Sequence, residues 1–109
     1  MGYVVKHSRI KEKYRPQPNA LEKRFELKLR EHLCIGCGAF GVELHHTMLA
    51  FPGKRWRRDH RYQLPVCGSC HRGTDGIHGL GCEAKWGRIN EVDTAAIAQQ
   101  LWQDFINDR

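Results

Sequence analysis

"CIGCGAFGVELHH", residues 34–46, and "YQLPVCGSCH", residues 62–71, decide how this chain folds. Each stretch couples a C-x-x-C pair to a short apolar run, in opposite order. Cys34 and Cys37 precede their run, whereas Cys67 and Cys70 follow theirs. Two such pairs, separated by 29 residues, match the tetrahedral sulfur set of structural zinc, with bonds of about 2.3 Å. Redox C-x-x-C motifs usually open a helix in a larger α/β fold, so two pairs in 109 residues point to metal instead. Gly36, Gly38 and Gly68 are expected to give the turns their backbone freedom. An ion that binds only the assembled ligands stabilises the fold directly and clamps the two runs together. Cys82, the odd cysteine, reads as a small buried hydrophobe, with an alternate ligand or a free thiol as the other readings.

Outward from the cysteines, "FGVELHH" and "YQLPV" read as two short strands around the basic loop "TMLAFPGKRWRRDHR", residues 47–61. A helix is expected over 19–33, with Asn19 as N-cap and Leu21, Phe25 and Leu29 on its buried face. A short helical turn carrying Trp86 is expected over 82–89. A second full helix is expected over 94–107, with Asp93 as N-cap, Ile97, Leu101 and Phe105 as its stripe, and Trp102 in the core. The whole reads as one domain over 19–109, preceded by a basic arm, residues 1–18, that "RPQP" keeps from being helical.

Mean hydropathy is −0.62 and 40% of residues are hydrophobic, so the core is small and a staple is expected. No apolar run is long enough to span a membrane, and the first residues lack the apolar stretch of a secretory signal, so a cytoplasmic location is expected. That compartment argues against disulfides. The net charge of +6 is uneven, with 15 Lys/Arg against 6 Asp/Glu over residues 1–72 and 3 against 6 thereafter. The basic part suits a polyanion, most simply nucleic acid, although solvated basic surfaces are also common.

Five histidines, His45, His46, His60, His71 and His78, fall within 34 residues of this frame. Neighbours on a strand point to opposite faces, so His45 and His46 are not explained by one packing role. Knuckle, histidine pair, loop histidine and "CH" together, over about residues 34–78, resemble the HNH endonuclease pattern. The resemblance implies a zinc-stabilised ββα-metal core in an α+β fold with flanking N- and C-terminal helices. "DHR" before "PVC", and "IHG" after it, are most similar to phage-borne members, among them recombination enhancer nucleases that act with the host RecA filament.

The resemblance further implies the roles. His46 matches the general base that takes a proton from water, and His45 a ligand of a catalytic divalent ion. His71 matches a second ligand. His60 stands near the family's middle Asn or His, which usually orients the base or loop and sometimes binds metal. His78 has no counterpart in the minimal motif and is open as a ligand in place of His71 or as a hydrogen-bond partner. The Gly-rich "HRGTDGIHG" departs from the pattern and makes the motif helix short or late. The catalytic ion is expected to be Mg2+ or Mn2+, although imidazoles also suit Ni2+ and Zn2+. Lys54, Arg55, Arg57, Arg58 and Arg61 are expected to neutralise DNA phosphates, with Trp56 either wedging between bases or capping the core. Two function classes follow: a DNA phosphodiester hydrolase of bacterial host cells, or a zinc-stabilised nucleic-acid-binding module without catalysis. A third possibility is an accessory protein of recombination or packaging complexes.

Overall fold

The computed structural model describes residues 17–47, 49 and 59–108. The arm residues 1–16 and the loop residues Lys54, Arg55, Trp56, Arg57 and Arg58 lie outside them. Helix α1, Ala20–Leu29, opens on the expected Asn19 cap. Asn19 Oδ1 accepts from the Glu22 N–H at 2.8 Å, and Glu22 Oε1 accepts from the Asn19 N–H at 2.9 Å, a reciprocal capping box. Phe25 and Leu29 are buried and Leu21 only partly so. The helix stops at Leu29 rather than running to residue 33. Glu31 and His32 instead donate three residues back, a tightening that turns the chain so that Cys34 enters the knuckle.

Strands β1, Val42–His46, and β2, Gln63–Cys67, form an antiparallel two-stranded sheet pairing Val42 with Cys67 and His46 with Gln63. Both are five residues long and start later than the apolar runs, leaving Phe40 exposed. β2 is buried along its whole length. Pro65 is tolerated there because its backbone faces the outer edge, where its carbonyl accepts the Ile35 N–H at 3.1 Å. The knuckle turn therefore extends the sheet edge.

The segment after β2 is broken by its glycines into α2, Gly68–Arg72, and α3, Ile77–Leu80, in keeping with the expectation of a short motif helix. Helix α4, Glu83–Asn90, is two turns rather than one. Helix α5, Thr94–Asn107, has the expected bounds, with Asp93 accepting the Ala96 N–H at 3.1 Å. Among the described residues no helix is long and apolar enough to cross a membrane.

Two apolar groups hold these elements. Cys34, Val42, Val66, Cys67, Ile77 and Trp86 form a core beneath the cysteine knuckle. Phe25 of α1 packs edge-on against Trp102 of α5 at 5.0 Å and at a tilt against Phe105 at 5.2 Å, placing Trp102 in the packing, as expected. In α5 the most deeply buried side chain is Ala98, with Ile97, Leu101 and Phe105 partly covered. Gly36 is required by contact: a Cβ there would stand 2.8 Å from Trp86 and 2.9 Å from Cys70 Sγ. Gly38 is required by its φ of 80°. Gly68 meets neither condition, since a Cβ there makes ordinary contacts.

Candidate metal centres

Cys34, Cys37, Cys67 and Cys70 converge with their sulfurs all within 4.8 Å of one another, so they could hold a metal such as zinc. Cys37 Sγ lies 3.6 Å from Cys67 Sγ. Each pair is wrapped by its own backbone, with N–H groups of Gly36 and Cys37 directed at Cys34 Sγ and that of Cys70 at Cys67 Sγ. Burial by itself would raise the Cys34 thiol, but backbone N–H groups of Cys67, Cys37 and Gly36 bring it down to about 6. Burial and the neighbouring thiols push Cys70 upward. A dication suits this sulfur-rich, partly buried cluster because it compensates all four thiolates together. Cys82 is not the buried hydrophobe expected of it: it is exposed at the N-cap of α4, away from the four.

The pleat of β1 separates the adjacent histidines. Glu43 and His45 share the face covered by α2, α3 and α4. There the ligand nitrogens of His45, His71 and His78 lie within 4.8 Å of one another, so this group too could hold an ion. The structure brings both His71 and His78 to His45. His71 Nε2 is 3.0 Å from His78 Nε2.

Two carboxylates organise this cluster. Glu83, at the start of α4, meets His45 Nε2 at 2.8 Å and accepts the hydroxyls of Thr47 at 2.5 Å and Thr94 at 2.6 Å. Burial would raise the Glu83 carboxyl, but these three bonds prevail and hold it below its usual range. Glu43 accepts from Arg72 Nε at 2.9 Å, makes a second bond to the same guanidinium, and meets His71 Nδ1 at 2.8 Å. Arg72 first, and His71 with it, hold Glu43 at about 2.

An ionised carboxylate can only accept, so His45 carries its proton on Nε2 and His71 carries its proton on Nδ1. The lone pairs are then left on His45 Nδ1 and His71 Nε2, and the second of these faces His78. This is the carboxylate–histidine–metal arrangement, in which an outer carboxylate sets the tautomer and strengthens the ligand. Burial lowers the His78 ring from its ordinary value. Three imidazole donors fit borderline ions such as Zn2+ or Ni2+ better than Mg2+.

His46 points the other way, onto α1. Its Nε2 is 2.9 Å from His60 Nδ1, and Glu26 Oε2 stands 3.8 Å from that same nitrogen. Gln63, paired with His46 across the sheet and fully buried, donates to Glu26 at 2.9 Å and to the His60 carbonyl at 2.7 Å. Of the basic loop set, Arg61 is described: it forks onto Asp59 at 2.7 and 3.0 Å and lies 5.3 Å over the Tyr62 ring.

Sequence reasoning missed Glu26, Glu43, Gln63 and Glu83. Glu43 alone carried a usable signal, being two residues before His45 on the same strand face. Comparison with protein-family models, with curated proteins and with solved structures returns no match. Functional assignment therefore rests on the chemistry of these clusters.

Proposed function

We propose that the protein is an HNH-type, metal-dependent endonuclease that hydrolyses DNA phosphodiester bonds, phage-encoded and acting in recombination or DNA processing. One observation carries the reading: His45 and His46 stand on opposite faces of β1, one in a three-imidazole cluster and the other against His60 and Glu26. The nuclease reading gives each of the two imidazoles its own task.

His45, His71 and His78 would hold the divalent ion, and when bound it supplies positive charge to the scissile phosphate and the leaving oxygen. Glu83 and Glu43 keep the first two rings in the tautomers that face it. His46, with its Nε2 against His60 Nδ1, would take the proton from the attacking water. A neutral imidazole suits that task near pH 7 and contributes about 10²–10⁴-fold. Residues 54–58, with Arg61 released from Asp59, would bind flanking phosphates, and a RecA filament is the partner the resemblance suggests. The structural zinc of the four cysteines holds β1 and β2 in the register that separates the two rings.

The test is nicking of supercoiled plasmid in Mg2+, Mn2+ and EDTA, with and without RecA and single-stranded DNA, by wild type and His46→Ala. Metal-dependent nicking that falls by at least about 100-fold in the variant is expected. Equal nicking by both proteins, or none with any metal or partner, would return the protein to the class of zinc-stabilised binding modules.

A further inference from the structure

Glu26, His46 and His60 come from α1, β1 and the turn before β2, yet their ligand atoms lie within 4.8 Å of one another. A zinc-class ion with bonds of about 2.0–2.1 Å in a tetrahedral site needs donors about 3.3 Å apart. The His46–His60 separation of 2.9 Å and the His60–Glu26 separation of 3.8 Å bracket that value. The carboxylate is held in place as metal-binding carboxylates usually are, by an outer hydrogen bond, here from the buried amide of Gln63. His60 is only 6% exposed. Its Nε2 and the Gln63 Oε1 are both buried without a partner among the described residues.

The geometry points to a second divalent-metal site at Glu26, His46 and His60, of the two-histidine, one-carboxylate type, taking Zn2+-class ions rather than Mg2+. The consequence for activity rests on the reading of His46 as base. An ion on His46 Nε2 fixes that ring's proton on Nδ1, the nitrogen that would otherwise receive the proton from water. Zinc at this site therefore silences the nuclease while zinc at the four cysteines sustains it.

The test uses full-length protein with its thiolate zinc in place, titrated with Co2+ as a coloured substitute for Zn2+. Bound metal is counted after dialysis, and ligand-field absorption reports the geometry. Wild type should take up about two Co2+ beyond the resident zinc, in a two-histidine-type site and in the three-histidine cluster. Glu26→Gln, which keeps an acceptor for Gln63, should weaken one of them at least ten-fold, and His78→Ala should weaken the other. One Co2+ in wild type, or an unchanged count in Glu26→Gln, overturns the site. Should a variant fold poorly, hyperfine-shifted ring protons of His46 and His60 in Co2+-loaded wild type read the site without substitution, and their absence overturns it. A protein that binds both Co2+ ions, yet nicks no DNA in Mg2+ or Mn2+ with the second site empty, would refute the nuclease reading and leave this site standing.

Discussion

Glu83 spends its two oxygens on three donors from three parts of the chain: His45 in β1, Thr47 just beyond it, and Thr94 at the start of α5. Replacing it by Gln puts an amide where an acceptor fixed the His45 proton, so the ring is free to turn its N–H toward the ion. Glu83→Gln should weaken Co2+ or Zn2+ at the three-histidine cluster by about 10–100-fold in calorimetric titration, with the thiolate zinc retained. Glu43 sets a pH dependence. Its carboxyl lies at about 2 against an ordinary 4.5, so the stabilisation it contributes is present above the ordinary value and is lost as pH falls toward the folded one. In denaturant titrations Glu43→Gln should be less stable than wild type at neutral pH, and the difference should close as pH drops below 4.5. A gap that persists unchanged at low pH would show that the carboxylate charge is not its source. The histidines themselves were legible because chemistry-bearing residues crowd a short stretch. Glu83 was not, since 38 residues separate it from His45 and an acidic residue in a first helical turn is ordinary.

At the scale of elements, α1, α5 and both strands could be read from their periodicity and caps. What could not be read is where a helix yields to the demands of its neighbours. Residues 30–33 have a good helical pattern, but Cys34 has to reach the knuckle, and the chain leaves α1 early. The turn carrying Trp86 grew into a full helix because its indole packs against the Cys34–Cys37 loop, a long-range contact that no local pattern announces. Gly36 is where helix and knuckle touch. A methyl there must displace either the indole or the Cys70 sulfur, and Gly36→Ala should cost about 1–3 kcal/mol in unfolding and speed zinc loss to a chelator. Wild-type stability and zinc retention in that variant would mean that α4 does not brace the knuckle.

At the scale of the molecule, the described apolar core is two small groups joined by a two-stranded ribbon, too little for a chain of this size to hold without help. A metal held by the four cysteines would supply that help. Stripping their metal with a strong chelator should remove most far-UV helical signal, and returning Zn2+ should restore it with release of protons that a pH indicator detects. A chelated protein that keeps its cooperative thermal transition would assign the stability to the Phe25–Trp102–Phe105 cluster instead.

Because strand faces alternate residue by residue, the doubled histidine makes β1 ambiguous to its own ligands. Slide β1 by one position and His46 occupies the place of His45, while Thr47 occupies that of His46. The three-imidazole cluster refills, whereas the other cluster loses its ring and Glu43 leaves its partners. A slipped protein would therefore still fill the three-imidazole cluster while losing the site at Glu26 and His60. Metal uptake at the three-imidazole cluster alone is consequently a poor quality control for variants of this strand, and the hydrogen bonds of Glu43 and Glu83, visible as slowly exchanging imidazole N–H protons in NMR spectra, are the sounder mark of correct assembly.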